Sequence, residues 1–279
     1  MMYTLISLLL VVNLSCTNTV LPPFLVSLVL AEYQISLGGC LVQMFFIYLS
    51  VAMESAVVLL MAFDRHMAIC RPLRYQEIVT KRLLAQLALL CVIRSIALVC
   101  PIVISVSKVH FCGSNIIEGF ACENMVLLKL GCGDISKINI TGLVLRVFVS
   151  ALDGSLILIS YLDILRTTMK TVKGQAIRKA LNTCGTHLIV AVLIYTCGLL
   201  SSIVYRTGTA VPANGQNLVS AIYFLFPAAV NPIIYGLRVK EIRICLVRAY
   251  ERRKFHGPTG PNPTNLVQSA ESVLGEVKK

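Results

Sequence analysis

The chain has 279 residues, of which 57% are hydrophobic and only 14% charged, with a mean hydropathy of +0.81. Soluble domains carry about 25% charged residues, so a water-soluble protein is excluded and a membrane-embedded one remains. The formal charge of +12 sits in short loops between apolar stretches and towards the C-terminus, as in membrane flanks; the expected partner is the lipid bilayer, and no nucleic acid is expected.

In chain order, apolar stretches cover about 3–30, 40–63, 83–107, 138–162, 184–205 and 216–237, each near the roughly 20 residues that a helix needs to cross a bilayer. They are continuous runs of Leu, Val, Ile and Ala without a two-residue alternation, so they read as helices and not as barrel strands. The first has no basic leader, and Asn13, Asn18 and Pro22-Pro23 interrupt it, so it reads as a span and not as a signal peptide.

The loops alternate in charge. After the second stretch come Arg65, Arg71, Arg74, Lys81 and Arg82; after the fourth, Arg166, Lys170, Lys173, Arg178 and Lys179; after the sixth, Arg238, Lys240, Arg243 and Arg248. The intervening loops are nearly neutral. The positive-inside bias places the basic loops and the C-terminus in the cytoplasm, and an even number of spans then puts the N-terminus there too.

Four of the eleven cysteines, Cys40, Cys112, Cys122 and Cys132, fall on the opposite side, where disulfides persist. Four cysteines allow three pairings, and closing the 112–132 loop is worth about 3 kcal/mol by chain entropy. A zinc site fits poorly, since only His110 lies nearby. Beyond the last span, residues 239–250 read as an amphipathic helix for the inner membrane surface, with Ile242, Leu246, Val247 and Tyr250 on one face. Cys245 there is either a palmitoylation site or a plain cysteine. Residues 251–279 read as a disordered cytoplasmic tail.

Charged side chains within a span cost about 2.5–3.5 kcal/mol on insertion scales, which makes them functional candidates. Glu54, Arg146 and Asp153 qualify. Glu54 has two readings: a cation or proton site with Asn13 and Asn231 as partners, or a neutral structural carboxyl. Its helical stripe brings Ile47, Ser50 and Val51 inward with it. Arg146 and Asp153 lie seven residues apart on one face, where an internal pair competes with a role towards water or an anionic ligand. Tyr195, Leu199, Ser202 and Arg206 form another stripe, in which Arg206 reads either as a carboxylate clamp or as an interfacial arginine. No glycine-rich phosphate loop, zinc-ligand pair or nucleophile elbow occurs, so neither an enzyme nor a cofactor is expected, and no metal beyond the Glu54 candidate.

Four runs, in order, then carry a family resemblance. Met61-Ala-Phe-Asp-Arg-His-Met-Ala-Ile-Cys70 with Arg71-Pro-Leu-Arg-Tyr75 resembles the MAYDRYVAIC and PLxY signature of odorant receptors, within the rhodopsin-like G-protein-coupled receptors. Ser160-Tyr161 resembles that family's SY pair. Lys179-Ala-Leu-Asn-Thr-Cys-Gly-Thr-His-Leu188 resembles its KAxxTCxSHL run, and Pro227 with Asn231-Pro-Ile-Ile-Tyr235 its PxxNPxIY ending. The match spans about 2–250. The Leu152-Asp153 pair and Arg206 are similar to the class I branch, whose ligands tend to be polar volatiles such as carboxylic acids.

The resemblance implies an all-α, rhodopsin-like bundle. Met2-Tyr3 matches the start of the family's second helix, so the expectation is six spans, the first of the seven being absent, plus the amphipathic helix. It implies disulfides Cys40–Cys122 and Cys112–Cys132. It implies a pocket for a small odorant built from Met44, Ile47, Tyr48, Val51, Arg146, Ser202, Tyr205 and Arg206. It implies coupling to a stimulatory heterotrimeric G-protein at the plasma membrane through Asp64, Arg65, Tyr161, Asn231, Pro232 and Tyr235. The chain departs from the pattern at His66, where the family has Tyr; at Asn13, where the superfamily carries a carboxylate; and in lacking an N-terminal glycosylation sequon. Two other functions compete with a signalling receptor: a truncated product that does not signal, and a transporter or channel, against which stands the absence of an internal repeat.

Overall fold

The computed structural model describes residues 2–30, 34–112, 116–117, 119–171, 175–206, 211–238 and 244, without the side chains of 171–183, Thr186, Ala213 and 236–238. The predicted amphipathic helix 239–250 and tail 251–279 lie outside the described residues, Ile244 apart. The fold is all-α. Its elements are α1 (Met2–Val29), α2 (Leu37–Cys70), a 3-10 turn (Pro72–Arg74), α3 (Tyr75–Ile78), α4 (Lys81–Ser107), α5 (Asn124–Leu128), α6 (Ser136–Thr171), α7 (Gln175–Val204) and α8 (Ala213–Arg238). Among the described residues, six helices are long and apolar enough to cross a membrane: α1, α2, α4, α6, α7 and α8. The chain divides into two compact units, Met1–Pro232 and Ile233–Lys279. The first holds all the geometry below; the second carries Tyr235 on the last turns of α8.

Hydroxyl caps start two of the long helices. Ser36 Oγ accepts from Gly39 N at 3.1 Å before α2, and Thr80 Oγ1 accepts from Leu83 N at 3.1 Å before α4. Each satisfies one of the orphan amides of a first helical turn. The prolines inside α1, α4 and α8 remove one backbone bond each, which a spanning helix tolerates when neighbours cover the gap.

Helix α2 is the central element. It packs against α1, α4, α6 and α7, and its buried residues run its whole length, from Cys40 and Met44 to Asp64 and Met67. A helix apolar on every side belongs in such a position. The outer helices instead expose large apolar side chains, Leu89, Leu90 and Ile93 on α4 and Val144, Val147 and Phe148 on α6. In water that would be a severe cost; against lipid tails it is neutral.

The helices extend beyond the apolar stretches. Helix α2 continues through Asp64-Arg65 to Cys70, α6 through Arg166 and Lys170 to Thr171, and α7 begins at Gln175. Apolarity marks the part of each helix suited to lipid, while the backbone ladder runs on beyond it. The 3-10 turn, α3 and α5 form inside stretches that read as loops from sequence.

The cysteine-rich segment is held at four points. Cys40 is bonded to Cys122 and Cys112 to Cys132, with Cα separations of 5.4 and 5.9 Å, so these cysteines form no zinc site. Phe111 and Gly131 form an antiparallel bridge. Gly133, at φ +89°, takes the left-handed turn that leads towards α6. Gln43 links the segment to two helices: its Nε2 donates to Thr19 O at 3.0 Å and its Oε1 accepts from Cys122 N at 3.3 Å. The segment thereby folds across one end of α2.

Candidate functional site

Beneath the cysteine-rich segment lies a cavity of about 150 Å³, a size that in apolar engineered cavities admits a molecule such as benzene. Tyr48, Val51, Ala52 and Ser55 of α2 line it; at 1.5 Å per residue they span about 10 Å of depth. Helix α7 runs the other way, with Tyr195 and Gly198 deep and Ser202, Tyr205 and Arg206 at the loop end. The wall between is apolar, built from residues such as Leu98, Val99, Ile102, Val149 and Ile194.

At the loop end, Tyr48 OH donates to Asn124 Oδ1 at 2.8 Å and accepts from Asn124 N at 2.9 Å. One phenol thus seals the start of α5 onto α2. Arg146 donates to Tyr223 OH, and its guanidinium lies 4.9 Å from the centre of that ring. Arg206 donates from Nη1 to Ser202 O at 2.8 Å and from Nη2 to Asn139 O at 3.2 Å. Its Nε is buried and unpartnered among the described residues. Glu123 is 5% exposed and also lines the cavity. Tyr205 OH approaches its Oε1 at 3.4 Å, and Ser220 Oγ donates to Tyr205 OH at 2.8 Å. Burial raises the Glu123 carboxyl from the ordinary 4.5 to about 7, with the Ser220 and Tyr205 hydroxyls and the more distant Arg146 pulling the other way.

At the deep end a different cluster closes the cavity. Asp153 Oδ2 accepts from Arg94 Nη2 at 2.6 Å, from Ser55 Oγ at 2.5 Å and from Tyr195 OH at 3.4 Å. Ser55 and Tyr195 are themselves 2.9 Å apart. Four helices (α2, α4, α6 and α7) meet on one carboxylate.

The predicted residues separate accordingly. Tyr48, Val51, Arg146, Ser202, Tyr205 and Arg206 line the cavity. Met44 and Ile47 do not: Met44 packs with Cys40, Val106, Cys122 and Leu127, and Ile47 with Val20, Phe120 and Phe224. Because α2 packs against several helices, burial on it does not mean facing the cavity. Arg146 and Asp153 form no pair with each other; Asp153 takes Arg94 and Arg146 takes Tyr223. Arg94, the one charge inside the stretch 83–107, escaped the sequence reading, although an arginine at mid-span was signal enough. Glu123 carried no signal, since a carboxylate after a loop cysteine reads as solvated.

Towards the other end, Asn231 Nδ2 donates to Glu54 Oε1 at 3.2 Å, while Asn13 Nδ2 is buried without a partner among the described residues. No group of three or more metal-ligating side chains suited to an ion occurs among the described residues. Asp64 is buried, paired with Arg65 Nη2 at 3.4 Å and accepting from Tyr75 OH at 2.7 Å. His66 faces Asp163 at 3.8 Å. Tyr161 is buried on α6, and Pro232 lies inside α8.

The comparisons with known proteins agree with this architecture. The family profile described as "Olfactory receptor" matches residues 1–253. Human (Homo sapiens) olfactory receptor 52K1 is 34% identical over 254 residues, which is 91% of this chain and 81% of that receptor. Human olfactory receptor 52P1 is 35% identical over 89% of this chain and 78% of its own length. Human olfactory receptor 52B6 is 38% identical over 86% and 72%. With its six apolar helices, the chain belongs to the olfactory receptor family, whose members are multi-pass membrane receptors and not enzymes.

Proposed function

We propose that this odorant receptor takes short carboxylic acids at the loop end of its cavity and signals through a stimulatory heterotrimeric G-protein. The observation that carries the reading is Arg206, which brings a buried Nε–H, unpartnered among the described residues, to a small cavity that is otherwise mostly apolar. A carboxylate there gains charge-assisted hydrogen bonds, and a chain of a few carbons fills the space beneath it. The cysteine-rich segment faces outside and the Asp64-Arg65 end faces the cytosol, in keeping with the basic loops and the two disulfides.

Signalling follows from what the acid displaces. Arg206 ties the end of α7 to the start of α6 through Asn139 O. A carboxylate competes for that guanidinium and loosens the tie. Deeper in, Tyr195 of α7 and Asp153 of α6 share the network with Ser55, so a relative shift of α6 and α7 is felt there. At the cytoplasmic end, release of Arg65 from Asp64 frees its guanidinium for the G-protein. Tyr161, Asn231 and Pro232 belong to the same switching end, with Pro232 supplying a weak point in α8. Such a ligand shifts a two-state equilibrium only as far as it binds one state better.

The test is a cyclic-AMP assay in transfected cells with straight-chain acids. Arg206→Ala is expected to lose the acid response at unchanged surface expression. Equal acid potency in the variant and the parent removes the clamp.

A further inference from the structure

The loop end of the cavity holds three ionisable side chains, Arg146, Arg206 and Glu123. Among the described residues no ion pair joins Glu123 to either arginine. Arg146 is committed to Tyr223, through both the phenol and the ring face. Arg206 is held by two backbone carbonyls. Glu123, although 5% exposed, is hydrogen-bonded among the described residues only by the neutral hydroxyls of Tyr205 and Ser220, with the Arg146 charge acting on it from further off. A carboxylate accepts about four hydrogen bonds, so about half of its capacity is unused. A buried carboxylate without a cation in direct contact is costly unless something positive reaches it.

Glu123 meets the side chain of Tyr205, the residue next to Arg206, so carboxylate and guanidinium serve the same end of one cavity. A simple acid placed at Arg206 brings a second negative charge towards Glu123. A simple amine placed at Glu123 brings a third positive charge towards two guanidiniums. A zwitterion does neither, since it enters with no net charge and offers each side chain its complement.

We propose that Glu123 forms an ammonium subsite beside Arg206, so that the cavity prefers a short apolar α-amino acid, or a close zwitterionic analogue, over the plain acid. The carboxylate lies at Arg206, the ammonium at Glu123, and the side chain against Val51, Val99 and Ile194. This rests on the carboxylate reading of Arg206 and goes one step further. The cavity volume of about 150 Å³ holds a ligand of roughly benzene size or slightly more, which limits the side chain to a few carbons.

Pentanoic acid and 2-aminopentanoic acid differ only by the amino group, and pentylamine lacks the carboxylate. The three are compared on the full chain by cyclic-AMP dose–response and by thermal stabilisation of the solubilised protein, so a chain that binds without signalling is still read. One charge-assisted hydrogen bond predicts an advantage of at least about tenfold for 2-aminopentanoic acid over pentanoic acid, with pentylamine weakest. Glu123→Gln, checked for surface expression, is expected to abolish that advantage, and Glu123→Asp to keep part of it. If pentanoic acid acts through Arg206 but the amino group weakens it, and Glu123→Gln changes nothing, the subsite is wrong and the acid reading stands. If neither acid stabilises or activates a chain that reaches the surface, both fall.

Discussion

The two ends of the cavity handle buried charge in opposite ways. At the deep end Asp153 is matched by the Arg94 guanidinium at 2.6 Å and by the hydroxyls of Ser55 and Tyr195. At the loop end Glu123, Arg146 and Arg206 face the same space with no carboxylate–guanidinium pair among the described residues. Both clusters lie in surroundings where an unmatched charge is costly. A charge matched from within the protein fixes helix positions. A charge left with neutral partners keeps its interaction energy for something that arrives. What marks a polar cluster as a candidate site is therefore its incompleteness and not its presence.

The largest effect comes from breaking the matched end. Arg94→Ala leaves Asp153 buried without its cation, a loss of about 3–5 kcal/mol, and the chain is expected to fail to reach the cell surface. The double variant Arg94→Leu with Asp153→Leu is expected to recover most of that loss, because two apolar side chains leave no unmatched charge. Wild-type surface levels in the Arg94→Ala single variant break the contrast between the two ends.

A smaller effect comes from unsealing the loop end. Tyr48→Phe removes both bonds to Asn124, together worth about 1–3 kcal/mol. The expected result is faster amide hydrogen exchange in residues 123–128 with α2 unaffected. Exchange unchanged in those residues means the segment is held without Tyr48.

A third effect is a pH dependence that bears on Glu123. Its carboxyl is raised from 4.5 to about 7 by burial, so the folded chain holds that proton more tightly than the unfolded one. The resulting stability is fully present below about pH 4.5 and is lost as pH rises through 7. The melting temperature of the solubilised chain is expected to fall across that window, and Glu123→Gln to flatten the fall. An identical profile in the variant assigns the titration elsewhere.

Much of the fold was legible because apolarity is nearly a direct record of lipid contact. Six stretches correspond to the six helices that, among the described residues, are long and apolar enough to cross a membrane, and the four signature runs pointed to the family. The ends were less legible, since α2 and α6 carry Arg65, Arg71, Arg166 and Lys170 within or just beyond their last two turns, where composition reads as loop. The site was half legible. Ser202 and Arg206 follow from one stripe along and just past α7, and Tyr205 from the family resemblance, whereas Met44 and Ile47 pack away from the cavity because α2 has no single inward face. Partnerships were the least legible part. Arg94 and Asp153 are 59 residues apart, and periodicity along one helix does not say which neighbour its charge will meet. Glu123 is the extreme case, for only the fold of the disulfide-bonded segment brings it under cover.

The most direct test of the central claim is chemical protection at the cavity itself. Ser202→Cys, on intact cells, is labelled with a membrane-impermeant thiol reagent with and without saturating pentanoic acid, against the parent chain as background. The account predicts labelling from outside and protection by the acid. Labelling that needs permeabilised cells contradicts the orientation, and labelling indifferent to the acid contradicts the site.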